Sequence, residues 1–359
     1  MNINDALRLL LEKGASDLFY RVGANLYLRI YGKVTEIPDT RISVQDMEQT
    51  FSAIVSEQQK NFFQEHMDVD FAYYSHEFCN RFRVNIFMQR NTPSIVIRCI
   101  PNSIDTMESY NLPAAILKKL SLEQRGMVLL TGTMGSGKST TIASMIEYIN
   151  ANCNKHILTI EEPIEFTFQD KSSIINQREL NQDVFSYPAA LRAFTLQSPD
   201  VIYVGNIRDY ETMSAAVTSA ETGVLVLSTI HTVNAAQTIE RIINFFPTHY
   251  HSLIRTQLSL LLKGVISLRL VPLKDGSGRI PAYEVMLLTP TISRLIREGK
   301  LWEINAYIED GEIFGMQSFN QSLVKLVKEG KVSEEEAVNF SDSKDEFLLS
   351  LRGIKKGQR

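Results

Sequence analysis

The chain has 359 residues, 44% of them hydrophobic and 22% charged, and a formal net charge of −4; this is an ordinary globular composition whose length suggests two domains. The only basic run is the short tail of Lys355, Lys356 and Arg359, so no nucleic-acid partner is expected. Cys79, Cys99 and Cys153 lie far apart without CxxC spacing, and no apolar run reaches spanning length, which excludes a disulfide framework, a zinc cluster and direct membrane insertion.

The N-terminal pattern "NDALRLLLEKG" predicts a helix capped by Asn4 or Asp5 and ended by Gly14, with acids where a signal peptide would carry none. "LYLRIYGKVTEI" predicts a hairpin turning at Gly32. "RFRVNIFMQR" alternates so that Phe82, Val84 and Ile86 share one face and Arg81, Arg83, Asn85 and Phe87 the other, a half-buried strand with a basic outer face. Residues 1–100 therefore form a first, sheet-rich domain. A polar stretch at 101–115, bounded by Pro101 and Pro113, reads as the linker.

Beyond the linker, 116–285 alternates short apolar runs ("GMVLLTG", "HILTIEEP", "DVIYVGN", "GVLVLSTIH") with helical stretches, the signature of an α/β domain on a mostly parallel sheet. "GTMGSGKST" matches the phosphate-binding pattern G-x-x-x-x-G-K-[ST] between a strand and a helix. In that context Gly132, Thr133, Gly135, Ser136, Gly137, Lys138, Ser139 and Thr140 predict ATP binding. Backbone N–H groups curl around phosphate, Lys138 reaches the β and γ phosphates, and the Ser139 hydroxyl ligates Mg²⁺.

Glu161 and Glu162 follow the strand "HILTI", and His231 follows "GVLVLSTI". A carboxylate there could order Mg²⁺ or a water, and the histidine could sense the γ phosphate. Paired glutamates also occur in plain solvated loops, and a histidine after a buried strand is often structural. The tail, 286–359, shows three capped helical patterns, "TPTISRLIREGK", "SFNQSLVKLVKEGK" and "SEEEAVNFSDSKDEFLLSLRG", expected to form a small C-terminal helical bundle.

With these residues in place, the chain resembles the type IV pilus retraction ATPases, the PilT/PilU branch of the secretion ATPase superfamily, over nearly its whole length. The segments that carry the likeness include "GASDLF", "RFRVNIFMQRN", "TGTMGSGKST", "HILTIEEPIEF", "PDVIYVGNIRD" and "STIHTVNAAQTIERI". "FMQRN", "LPAAILKKLSLEQRG" and "NFSDSKDEF" are closer to PilU-like accessory motors. The resemblance implies an N-terminal PAS-like α+β domain, a RecA-like P-loop ATPase domain with C-terminal helices, and a homohexamer. It also implies a cytoplasmic motor, peripheral at the inner-membrane pilus machine, that turns a platform protein to depolymerise the pilus in twitching motility, alone or with a second retraction ATPase.

The same resemblance gives Arg81, Arg83 and Arg98 the place of arginines that neutralise charge during phosphoryl transfer. It sets Arg294, Leu295, Ile296 and Arg297 on a surface segment linked to retraction, although helix packing explains the leucine and isoleucine equally well. One departure stands out: the family has glutamate, which orients and polarises the attacking water, where this chain has Asn206. Losing a general base costs about 10²- to 10⁴-fold in rate. Leu196, Glu162 and Phe19 also depart from the family pattern.

Three outcomes remain open for Asn206: natural drift to a slow or partner-dependent motor, an engineered ATP trap, or rescue by Glu161 or Glu162. The competing functions are an ATP-driven retraction motor and a hydrolysis-poor accessory ring that docks on a partner. A pilus assembly or type II secretion ATPase is disfavoured because their extended N-terminal domains and four-cysteine motif are missing.

Overall fold

The computed structural model describes residues 1–30, 32–100 and 104–354. Pro101 of the expected linker and the basic tail at Lys355, Lys356 and Arg359 lie outside them. The chain divides into two compact units, Met1–Ser103 with Pro163–Thr167, and Ile104–Glu162 with Phe168–Arg359.

In the first unit a helix, α1 (Ile3–Glu12), precedes strands β1 (Asp17–Arg21), β2 (Leu26–Ile30) and β3 (Lys33–Ile37). Helices α2 (Val44–Ile54) and α3 (Glu57–His66) then lead to β4 (Asp68–Ser75), β5 (Asn80–Gln89) and β6 (Thr92–Cys99). The cap of α1 is Asn2, not Asn4 or Asp5: its side chain accepts from the Asp5 N–H at 2.9 Å. Ser43 and Ser56 start α2 and α3 with reciprocal capping boxes, each satisfying two backbone donors that the first turn leaves open.

The six strands pair antiparallel in the order β3-β2-β1-β6-β5-β4. Period-2 alternation sends Leu18, Tyr20, Leu28, Phe82, Val84, Ile86, Ile95 and Ile97 into one core with Leu7 and Leu10 of α1. Arg81, Arg83, Asn85 and Phe87 lie half-buried on the other face of β5, so the sidedness read from the sequence holds.

The second unit begins inside the expected linker. Met107, 2% exposed, is anchored in its core, and Pro113 caps α4 (Ala114–Ser121). The polar letters of 104–113 concealed that one apolar anchor, and this stretch is not free chain. Next come β7 (Gly126–Thr131), α5 (Lys138–Asn152), β8 (His156–Glu161), β9 (Ile174–Glu179), α6 (Tyr187–Phe194), β10 (Val201–Val204), α7 (Tyr210–Glu221), β11 (Leu225–Ile230) and α8 (Ala235–Phe245). Helix α9 (His251–Leu261) leads to β12 (Leu262–Pro272) and β13 (Arg279–Leu287).

The sheet order is β13-β12-β7-β11-β10-β8-β9, parallel throughout except for the antiparallel edge pair β12–β13. Strands β7, β10 and β11 are buried along their whole length, as expected of parallel strands covered on both faces. The fold is thus the mixed α/β architecture that the alternating runs predicted, with three strands beyond those the runs identified.

The C-terminal helices are α10 (Pro290–Glu298), α11 (Ile304–Glu309), α12 (Phe319–Lys328), α13 (Glu334–Phe340) and α14 (Lys344–Leu351). They do not form a bundle on their own. Phe319, Leu323, Leu326, Ala337 and Phe347 pack on Val271, Ile280 and Ala282 of the β12–β13 pair, and α10 lies against α9. On α10, Leu295 and Ile296 are buried at 1% and 0% exposure while Arg294 and Arg297 face out, so helix packing accounts for the two apolar residues and only the arginines are surface groups.

Candidate active site

Because β7, β11, β10 and β8 are consecutive parallel neighbours, their C-terminal ends line one edge of the sheet in that order. Each end delivers a residue singled out by the sequence: the loop 132–140 after β7, His231 after β11, Asn206 after β10, and Glu161 with Glu162 at β8. This carboxyl edge is where open α/β sheets bind ligands.

The loop after β7 is shaped by glycine. Gly132 has φ 144°, and a Cβ there would come within 2.4 Å of Ser136 Oγ and 2.5 Å of the Leu268 carbonyl oxygen. Gly137, at φ 96°, caps α5 without a side-chain hydrogen bond, leaving first-turn N–H groups and the positive helix end for an anion. Lys138 is buried at 7% exposure and its Nζ donates to the carbonyls of Gly132 and Thr133, both at 2.8 Å. Ser136 Oγ is buried and finds no hydrogen-bond partner among the described residues. Ser139 and Thr140 occupy the first turn of α5, half-buried. A backbone cradle, a buried ammonium and an unsatisfied hydroxyl suit a phosphate chain and its accompanying cation.

Glu161 ends β8 at 5% exposure and accepts from Thr159 Oγ1 at 2.8 Å and Gln177 Nε2 at 3.3 Å. Glu162 is turned to an ion pair with Arg208 at 3.6 Å. Asn206 has its Oδ1 buried without a hydrogen-bond partner among the described residues. At Gly205, just before it, an added Cβ would lie 3.2 Å from the Glu161 Cα, so the ends of β10 and β8 pack closely. Burial pushes the His231 imidazole below the ordinary histidine range; the positive charges of Lys138, Arg208 and Arg241 add to this, and a hydrogen bond with the Gly132 backbone opposes it. The ring stands by the phosphate loop, in surroundings that favour its neutral form.

Arg81, Arg83 and Arg98 belong to the first unit. There Arg83 meets Asp70 through three contacts of 2.5 to 3.1 Å, and Arg98 Nε donates to Asp17 Oδ1 at 2.9 Å. Leu196, where the family pattern has arginine, is 87% exposed, so no packing demand explains it. Sequence reasoning missed Arg208, partner of Glu162, and Tyr187, whose hydroxyl is buried without a hydrogen-bond partner among the described residues. Burial, and then the charge of Glu162, raise that phenol's pKa. Arg208 was legible as the cation two residues after Asn206; Tyr187 carried no signal.

Among the described residues no cluster of three or more His, Cys, Asp or Glu could hold a metal ion, and no helix is long and apolar enough to cross a membrane. A family profile described as "Type II/IV secretion system protein" matches residues 3–339. The type IV pilus ATPase PilU of Pseudomonas aeruginosa is 41% identical over 98% of this chain and 92% of its own length. The type IV pilus retraction ATPase PilT of the same organism is 40% identical over 94% and 97%. A crystal structure of the pilus retraction motor PilT with bound ADP superposes with a TM-score of 0.89 at 40% identity, covering 96% of this chain and 98% of that one. The near-equal identities do not separate the PilU-like from the PilT-like branch.

Proposed function

The chain belongs to the type II/IV secretion system protein family and is an ATPase of the type IV pilus retraction kind, and from that premise we propose that it binds ATP fully but hydrolyses it slowly unless a partner assists. One observation carries this reading: the phosphate loop, His231 and Glu161 all stand along the sheet edge, while the strand end between the last two presents Asn206.

Backbone N–H groups from Gly132 to Thr140 and the Lys138 ammonium bind the phosphates, and Ser139 would hold the Mg²⁺ that accompanies ATP. That ion would supply charge neutralisation to the bound phosphates. His231, neutral, hydrogen-bonds at the phosphate end without adding charge. Glu162 and Arg208 hold each other at the rim. Asn206 offers a carbonyl oxygen that can accept a hydrogen bond from the attacking water but cannot take its proton, which removes about 3 to 5.5 kcal/mol of barrier lowering. For Arg81, Arg83 and Arg98 the proposed duty is neutralising developing charge; Arg83 and Arg98 would each exchange a carboxylate, Asp70 or Asp17, for a phosphate.

The working form is a homohexamer at the cytoplasmic face of the pilus machine, acting on the inner-membrane platform protein and assisted by a second retraction ATPase. In domain terms, residues 1–100 are the PAS-like domain, 101–115 the linker, 116–285 the RecA-like domain and 286–359 the C-terminal helical bundle. Rescue by a neighbouring carboxylate is the second reading, favoured by the close packing of Gly205 on Glu161. Steady-state hydrolysis by Glu161→Gln, Glu162→Gln and Asn206→Ala separates the two. A handicapped site loses little more on Asn206→Ala and keeps ATP binding in all three. Abolition by one glutamate variant together with near-normal wild-type turnover would assign the base to that glutamate and overturn the slow-motor reading.

A further inference from the structure

The functional edge leaves one buried polar cluster unused. On β12 and β13, Ser267 and Glu284 are cross-strand partners, and Glu284, 3% exposed, accepts from Ser267 Oγ at 3.0 Å and from the Ala235 N–H at 2.7 Å. Ala235 is the first residue of α8, and the Asn234 side chain caps that helix by accepting from Gln237 N–H. Glu284 thus satisfies a second first-turn donor of α8 from beneath.

Two residues along β12, Arg269 spreads its guanidinium over four segments. It donates to the Phe340 carbonyl at 2.6 Å and to the Val233 carbonyl at 3.4 Å, pairs with Asp342, and lies 3.8 Å over the Phe319 ring. Phe340 ends α13, Asp342 sits in the α13–α14 junction, and Phe319 starts α12. Val233 is two residues after His231. One planar side chain therefore joins the C-terminal helices to the segment that carries the histidine, and Glu284 fixes the far end of that segment at Ala235.

We propose that Arg269 and Glu284 are positioning residues for His231, clamping Val233–Ala235 so that the α13–α14 junction sets where the imidazole stands relative to the phosphate loop. The inference rests on the reading of His231 as a phosphate-facing group. It makes the junction at Asp342 a lever: whatever moves α13 and α14 also changes turnover, through the fork of Arg269 and without contact with nucleotide. An ammonium cannot replace that fork, because planar donors in fixed geometry are needed to hold two carbonyls and a carboxylate together.

The decisive variant is Asp342→Asn, at a half-exposed site where folding is not at stake, with Arg269→Lys, Asp342→Glu and His231→Ala beside it. Single-turnover ATP hydrolysis, which resolves slow rates, is measured with the affinity for a fluorescent ATP analogue and with amide exchange across residues 232–236. Asp342→Asn and Arg269→Lys are expected to speed exchange in that segment and to lower the hydrolysis rate roughly 2- to 30-fold, the range single side chains carry in coupled networks. Analogue affinity stays unchanged, and Asp342→Glu restores both exchange and rate. Unaltered exchange would overturn the clamp. Faster exchange with an unaltered rate, while His231→Ala does slow hydrolysis, would reduce the cluster to a structural role. If His231→Ala also leaves the rate unchanged, the reading of His231 fails and the proposal falls with it.

Discussion

Glu284→Gln tests the buried cluster through stability instead of turnover. Burial raises the Glu284 carboxyl from the ordinary 4.5 to about 7, against the opposing hydrogen bonds from Ala235 and Ser267. A carboxyl with that difference between unfolded and folded chain contributes roughly 3 kcal/mol of pH-dependent stability. The sign follows from proton uptake. Between pH 4.5 and 7 the folded protein keeps a proton that the unfolded chain has released, so stability from this group is complete below pH 4.5 and lost as pH rises through 7. Glutamine keeps a neutral acceptor for both donors and does not titrate. The midpoint difference, variant minus wild type, should therefore grow from pH 5 to pH 8, by about 6 to 12 °C for a unit of this size, as read from thermal unfolding at four pH values. Parallel curves would refute the reasoning and mean that Glu284 is already ionised in the fold.

Lys138→Met removes two charge-assisted hydrogen bonds to the loop carbonyls, each worth roughly 1.5 to 3 kcal/mol, along with the phosphate anchor. Fluorescent-nucleotide titration should show affinity reduced about 100-fold or more, and retained affinity would contradict the assignment. Gly132→Ala forces a Cβ into 2.4 and 2.5 Å contacts at φ 144°, strain of about 1 to 3 kcal/mol from the backbone alone; nucleotide binding should be lost even where the protein still folds, and normal binding would show that the loop tolerates another path. Tyr187→Phe deletes a buried hydroxyl with no partner among the described residues, so the unfolding midpoint should hold or rise by up to about 1 kcal/mol equivalent. A clear loss of stability would reveal a partner for that hydroxyl.

The parts of the candidate site were legible in the sequence because they are local. A glycine loop, a lysine and buried strands are each specified by neighbours a few residues away, and so was the two-faced pattern of β5. Other features depend on partners distant in the chain. Strand β9, "IINQRE", sits at a sheet edge with half-exposed polar side chains, so no apolar run marks it. Strand β12 follows directly on α9, and "LSLLLKGVISLRLVP" merges helix and strand into one apolar stretch. Leu295 and Ile296 have a helical spacing that fits a surface patch or a core, and only the packing of α10 decides for the core. Glu284 was a single acid among apolar letters; its use depends on Ala235, 49 residues away. Nor does sequence show that Pro163–Thr167 groups with the first unit, since that assignment comes from long-range contacts.

The most direct measurement is steady-state Mg·ATP hydrolysis by the purified protein beside its Asn206→Glu variant, with ATP-analogue binding measured in both. If Asn206 limits the chemical step, the variant gains about 10²-fold or more in rate at unchanged affinity. Equal turnover in the two proteins would contradict the slow-motor reading and mean that another carboxylate serves the attacking water.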